Sequence, residues 1–282
     1  MALVTPFQAN FNIDYTALAT IIDFVIEGGV EYIVTMGTTG ETPTLSKEEK
    51  KDIILFTYEK VAGRVPVVVG IGGNNTAELE KELGWFPLDK AIAVLSASPY
   101  YSKPSQEGLF QHYKALAAAS PKPIILYNVP GRTGRNLSAA TTTRLAKEVK
   151  NIAGIKEASG DMAQCMEILR DRPEHFLVVS GDDALALPQI ACGMDGVISV
   201  AANSFPKAFT EMVRLSLKHQ FREAKALNDR LIAGYELLFA ENNPAGVKAA
   251  MYELGLIGNH LRLPVVPVSD ALRTKIHHYV KS

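Results

Sequence analysis

Short apolar runs rich in β-branched residues alternate with amphipathic stretches through the first two hundred residues. The runs cover residues 2–5, 32–36, 65–70, 91–96, 123–127, 152–156, 177–180 and 196–200. They are apolar on both faces, the pattern of parallel strands covered by helices. Between them the period becomes helical. Leu18, Ile21, Ile22 and Val25 fall at i, i+3, i+4 and i+7, with Asp14 as the expected N-cap and Gly28-Gly29 as the stop. Ser46 and Glu49 have the spacing of a capping box and start the next predicted helix.

Repeated strand–helix units require right-handed crossovers between parallel neighbours. About eight of them predict closure into a barrel. An open doubly wound sheet is the competing arrangement. Against it, no G-x-G-x-x-G follows the first strand, and Gly70-Ile71-Gly72-Gly73 follows the third with a different spacing. After residue 200 the strand signal stops, and residues 205–218, 219–240, 244–254 and 269–280 read as helices. The predicted fold is therefore α/β: a (β/α)₈ barrel over residues 1–218 and a C-terminal helical extension over 219–282. No linker-like or low-complexity stretch separates the two, so the extension is expected to pack on the barrel.

Composition narrows the function classes. The 282 residues are 47% hydrophobic and 21% charged, with a net charge of −1. This balance gives nucleic acid or an anionic membrane no electrostatic reason to bind. No apolar run approaches the roughly 18 residues of a membrane span. Met1-Ala2-Leu3-Val4-Thr5-Pro6-Phe7 lacks the basic segment of an export signal. The two cysteines, Cys165 and Cys192, sit in helical segments without disulfide or metal spacing. A reducing cytoplasm is the expected compartment.

In a barrel, chemistry sits at the C-terminal ends of the strands and in the loops that follow. Those positions hold Gly37-Thr38-Thr39-Gly40-Glu41, Ser98-Pro99-Tyr100-Tyr101, Tyr127-Asn128-Val129-Pro130-Gly131-Arg132-Thr133-Gly134, Gly154-Ile155-Lys156-Glu157-Ala158, Ser180-Gly181-Asp182-Asp183 and Gly196-Val197-Ile198-Ser199. A lysine ending an apolar strand is desolvated, and desolvation favours the neutral amine that a nucleophile needs. Lys156 has that place; the bland alternative is a snorkelling lysine or one paired with Glu157. Tyr127, at the end of the preceding strand, can shuttle protons if its hydroxyl reaches the amine. Taken alone, it reads first as a rim tyrosine that fills space and hydrogen-bonds to backbone. Thr38 and Thr39 offer hydroxyls and backbone N–H groups to a carboxylate, or simply make a tight turn. Arg132 can grip a carboxylate or lie solvated. Tyr100-Tyr101 fits a surface or interface patch, and Asp182-Asp183 fits a helix cap. His277 and His278 are adjacent on a helix and face apart, and the other histidines are scattered, so no zinc set is expected.

Taken together, these motifs resemble the dihydrodipicolinate synthase (4-hydroxy-tetrahydrodipicolinate synthase) family, within the N-acetylneuraminate lyase superfamily of Schiff-base aldolases. The resemblance extends to Asn243-Pro244-Ala245-Gly246-Val247-Lys248 and Leu261-Arg262-Leu263-Pro264. It implies a lyase that condenses pyruvate with L-aspartate 4-semialdehyde, without metal or organic cofactor, in lysine and diaminopimelate biosynthesis. Lys156 would form the imine and Tyr127 would be the central acid/base. Thr38 and Tyr101 would complete a hydroxyl relay, with Tyr101 reaching a neighbouring subunit's site. Thr39 with Thr38 would hold the pyruvate carboxylate, and Arg132 that of the second substrate. The backbone at Gly181 and Ile198 would line the pocket. The expected assembly is a homotetramer, a dimer of dimers.

Members of the family usually carry several residues ahead of the segment Leu3-Val4-Thr5-Pro6, so either the start of the chain is trimmed or its first strand is short. The nearest alternative is a superfamily lyase acting on a sugar-derived 2-keto acid such as N-acetylneuraminate. A barrel for phosphorylated substrates is opposed by Asp182-Asp183, and a non-catalytic sensor by the joint presence of lysine, tyrosines, threonines and arginine. Many family members bind lysine at a cleft between subunits, at positions matching Asn74, Glu78 and Tyr100. Where lysine-sensitive bacterial members often carry histidine, this chain has Lys47 and Lys50. Two cations about 4 Å apart repel by roughly 1 to 4 kcal/mol, so weak or no feedback by lysine is expected.

Overall fold

A computed structural model describes residues 1–282. Its chain forms two compact units, residues 1–66 with 199–282, and residues 67–198.

The first part of the former unit holds α1 (Tyr15–Glu27), β1 (Ile33–Thr35) and α2 (Lys47–Val61). Asp14 caps α1 by accepting from the Ala17 N–H at 2.9 Å, and the chain leaves α1 through Gly28 and the left-handed Gly29. Leu18, Ile21, Ile22 and Val25 are all fully buried, each contributing about 1.5 to 3 kcal/mol by burial. Ser46 and Glu49 close the capping box of α2 in both directions. The first predicted strand is reduced to one parallel bridge, Ala2 to Val34. Beyond it the Val4 N–H donates to Asn203 Oδ1, and the Thr5 hydroxyl donates to the Gly40 carbonyl. Side-chain and turn partners thus replace the ladder after two residues.

The second unit strings β2 (Val67–Gly70), α3 (Thr76–Trp85), β3 (Ala93–Ala97), α4 (Gln106–Ala119), β4 (Ile124–Asn128), the short α5 (Pro130–Thr133), α6 (Ala139–Glu148), β5 (Ile152–Glu157), α7 (Met162–Asp171), β6 (Leu177–Ser180), α8 (Ala186–Ala191) and β7 (Gly196–Val197). Each strand from β2 to β6 pairs in parallel with its successor. Two registers place the chemistry: Tyr127 faces Lys156 and Asn128 faces Glu157 across β4 and β5. The predicted eighth strand pairs only over Gly196–Val197, because Ile198 still donates to the Ser180 carbonyl but Val200 already turns into a single 3₁₀ turn.

The rest of the chain is α9 (Pro206–Leu217), α10 (Phe221–Phe239), α11 (Ala245–Glu253) and α12 (Asp270–Lys281), within two residues of the predicted helices. In that unit the Ser199 carbonyl accepts from the Ala2 N–H at 2.8 Å, which ties the start of the chain to residue 199. No helix is long and apolar enough to cross a membrane.

Candidate active site

Alternation of side chains along a strand sends Tyr127 and Lys156 to one face and Asn128 and Glu157 to the other. Lys156 is 5% exposed, and its Nζ sits 4.2 Å from the centroid of the Tyr127 ring. The lysine neither snorkels to water nor pairs with Glu157. Glu157 is fully buried on the opposite face, where it accepts from Asn128 Nδ2 at 3.0 and 3.2 Å, Gln164 Nε2 at 3.0 Å and the Ser159 N–H at 2.6 Å. Asn128 also donates to Asn136 Oδ1 and accepts from the Leu137 N–H. Such a satisfied polar group fixes strand register, since a slip of one residue would bury its charge without partners.

Gly181 closes over the lysine. A Cβ there would stand 2.8 Å from Lys156 Cε and 2.7 Å from Ala158 Cβ, so only glycine fits. The Gly181 N–H donates to the Glu157 carbonyl at 2.7 Å, and buried Ile198 donates to the Ser180 carbonyl at 2.8 Å. Lys156, Tyr127, Gly181 and Ile198 therefore belong to four consecutive strand ends of one unit. Asp182 does not cap α8, whose N-cap Leu185 has no side-chain cap; it accepts from the Ala184 and Leu185 N–H groups in the turn ahead of that helix.

Two loops of that unit meet. The Tyr101 N–H donates to the Thr133 carbonyl, and Gly134, left-handed at φ 71°, packs against the Lys103 side chain. Arg132 is exposed on α5 in this loop. Tyr101 and Lys103 are left-handed at φ 67° and 47°, which costs a side-chain-bearing residue on the order of 1 kcal/mol or more. Tyr101 is 91% exposed. Of the positions matched to a lysine cleft, Asn74 Oδ1 accepts from the Tyr100 N–H at 2.8 Å, while Glu78 forms a surface pair with Lys81 at 2.7 Å. Lys47 and Lys50 lie in the first turn of α2, in the other unit.

That other unit also carries Thr38 and Thr39, in a 3₁₀ turn bounded by two left-handed residues, Met36 at φ 59° and Glu41 at φ 53°. The hydroxyls of Thr42 and Thr44 brace it by donating to the carbonyls of Gly37 and Glu41. Glu41 is buried and paired with Lys248, and its second oxygen accepts from the Arg262 N–H at 3.0 Å. Burial lowers the Lys248 ammonium to about 8, against the raising pull of Glu41. Asn243 Nδ2 donates to Thr39 Oγ1 at 3.1 Å. Sequence reasoning assigned no role to Glu41, Asn243 or Lys248. The available signal was a lone lysine among Val247, Ala249, Ala250 and Met251 in a helix otherwise suited to burial. His277 bonds Glu253 at 2.6 Å, and His112 bonds Thr76, so neither is free for other work.

Comparison with known proteins gives a consistent result. The model of the dihydrodipicolinate synthetase family matches residues 1–282. A 4-hydroxy-tetrahydrodipicolinate synthase of Flavobacterium psychrophilum is 48% identical over 281 residues, covering 100% of this chain and 96% of the relative. The crystal structure of dihydrodipicolinate synthase from Aquifex aeolicus superposes with a TM-score of 0.96 at 40% identity, over 100% of this chain and 96% of that one. The chloride-inhibited dihydrodipicolinate synthase of Acinetobacter baumannii, complexed with pyruvate, gives 0.96 at 41% identity over 99% and 96%. The fold class is that of these structures, an α/β (β/α)₈ barrel with C-terminal helices.

Proposed function

The chain belongs to the dihydrodipicolinate synthetase family, and from that premise we propose that it condenses pyruvate with L-aspartate 4-semialdehyde through an imine on Lys156. The observation that carries the reading is a buried lysine held beside a tyrosine at the ends of two register-locked strands. The Lys156 amine adds to the pyruvate ketone, and loss of water leaves an imine that accepts electrons from the adjacent carbon. Loss of a methyl proton gives an enamine, whose carbon attacks the aldehyde. The amine of the second substrate then displaces the lysine and closes the ring, returning Lys156 to its starting state. Every step moves a proton between heteroatoms or carbon, which calls for positioned hydroxyls.

Tyr127 is the central acid/base in this reading. By their match to the family motifs, Thr38 and Tyr101 are the further relay hydroxyls, with Tyr101 supplied to a neighbouring subunit in a homotetramer built as a dimer of dimers. The high exposure of Tyr101 on a strained backbone supports a partner for it. Thr38 and Thr39 receive the pyruvate carboxylate, Arg132 that of the aldehyde substrate, and the backbone at Gly181 and Ile198 lines the pocket. The same reading places catalysis in the barrel of residues 1–218, with the helices of 219–282 as its extension. It also assigns the enzyme to cytoplasmic lysine and diaminopimelate biosynthesis.

The test is trapping. Incubation with pyruvate and borohydride is expected to add one reduced pyruvate adduct by mass, on the peptide containing Lys156. The Lys156→Ala variant is expected to remain folded and give none. Turnover with L-aspartate 4-semialdehyde, and none with a sugar-derived aldehyde, separates this activity from that of an N-acetylneuraminate-type lyase. Undiminished trapping in Lys156→Ala sinks the assignment.

A further inference from the structure

The pair of Lys248 and Glu41 is closed from solvent, with side-chain exposures of 0% and 1%. An ion pair so placed is poor value as a source of stability, because desolvating both charges offsets most of their attraction. What it does supply is fixed geometry. Glu41 Oε1 takes Lys248 Nζ and Oε2 takes the Arg262 backbone N–H, so both oxygens are engaged from chain segments more than 200 residues away. Lys248 Nζ is itself held by the His260 carbonyl at 3.1 Å and by the face of the Phe7 ring, 4.2 Å from its centroid. The Arg262 guanidinium stands 4.5 Å from the same ring and bonds Glu49 at 2.6 and 2.7 Å. Glu41 thereby keeps a left-handed backbone that a free turn would abandon.

Five residues before Lys248, Asn243 reaches the same turn. Its Nδ2 donates to Thr39 Oγ1 at 3.1 Å, with Asn243 5% and Thr39 2% exposed. A hydroxyl whose oxygen already accepts a hydrogen bond turns its own proton elsewhere, and donation into it makes that proton a better donor. Thr39 is thus oriented to give a hydrogen bond, which is the polarity a carboxylate requires.

We propose that Asn243 is a positioning residue for the Thr38-Thr39 turn, setting Thr39 as a donor to the substrate carboxylate while the Lys248–Glu41 pair holds the turn's backbone. The inference rests on the assignment of the pyruvate carboxylate to this turn. It gives α11 and Asn243, two residues ahead of it, a part in substrate affinity rather than in packing alone.

A double-mutant cycle tests it: Asn243→Ala, Thr39→Val and the two combined, assayed at steady state with each substrate varied in turn. Asn243→Ala is expected to raise the KM for pyruvate roughly three- to tenfold, the worth of one hydrogen bond. Its kcat and its KM for the aldehyde should stay within about twofold of the parent. In the Thr39→Val background the same substitution should add nothing, because its effect passes through the lost hydroxyl. If Asn243→Ala melts well below the parent, Asn243→Leu, closer in shape, carries the measurement. An unchanged pyruvate KM in the folded variant overturns the proposal, and so does full additivity with Thr39→Val. Borohydride trapping of the parent chain runs alongside. A parent that is not trapped overturns the functional reading and the inference with it, whereas a trapped parent with an insensitive KM overturns the inference alone.

Discussion

Adding one methyl group at Gly181 is expected to disable the reactive lysine while leaving the chain folded. The new Cβ would stand 2.8 Å from Lys156 Cε, 3.1 Å from its Cγ and 2.7 Å from Ala158 Cβ. Carbon atoms rest about 3.5 to 4.0 Å apart, so the overlap with Cε is roughly 0.7 to 1.2 Å. Ala158 has no rotamer with which to give way. Lys156 can yield only by swinging its chain, which carries Nζ from its place over the Tyr127 ring. A misplacement of about 1 Å costs on the order of a hundredfold in rate. Overpacking of this kind costs about 1 to 3 kcal/mol, a fall in Tm of roughly 2 to 5 °C for a chain this long. The assay is the rate of adduct formation with pyruvate and borohydride, followed by mass, beside a thermal melt. Gly84→Ala is the control, since nothing lies within 4 Å of its Cβ and its helical site favours alanine. Trapping by Gly181→Ala at the parent rate, with the expected fall in Tm, would show that Gly181 does not set the lysine's position.

Three further outcomes are expected. Active enzyme should sediment as a tetramer at assay concentration and Tyr101→Phe should lose most of its turnover; an active monomer, or a fully active variant, would remove Tyr101 from a neighbour's relay. Lysine should inhibit weakly or not at all because of Lys47 and Lys50, and clear inhibition at sub-millimolar lysine in a titration would contradict this. Burial holds the His112 imidazole down at about 4 instead of the usual 6.5. The depressed value means stability fully present above pH 6.5 and lost as pH falls through about 4, on the order of 3 kcal/mol. Denaturant melts from pH 7 to 4 should show that loss, and a His112→Leu variant should flatten it.

A buried polar group locks the strands that carry the reactive pair. Asn128 and Glu157 occupy the register positions next to Tyr127 and Lys156, so the polar group on one face fixes the reactive pair on the other. Apolar residues at the same places would tolerate a slip that exchanges the two faces.

Periodicity and caps are local properties, and the sequence alone determined what depends on them. The helix of Leu18, Ile21, Ile22 and Val25, its Asp14 cap and the Ser46–Glu49 box lie where the pattern puts them, because each is decided within one or two turns. The place of Lys156 and Tyr127 at neighbouring strand ends was legible from the strand pattern, because a parallel strand buried on both faces gives a polar residue at its end few places to point, while their roles came from the family motifs. The tertiary structure alone decided the rest. It shortened the first strand to a bridge at Ala2, because Asn203 and Gly40 offered nearer partners to Val4 and Thr5. It gave Glu157, which strand alternation turns away from Lys156, its partners Asn128 and Gln164. It brought Asn243 and Lys248 to Thr39 and Glu41 across more than 200 residues. No local pattern encodes such pairings, since a buried charge becomes affordable only when the fold delivers a partner to it.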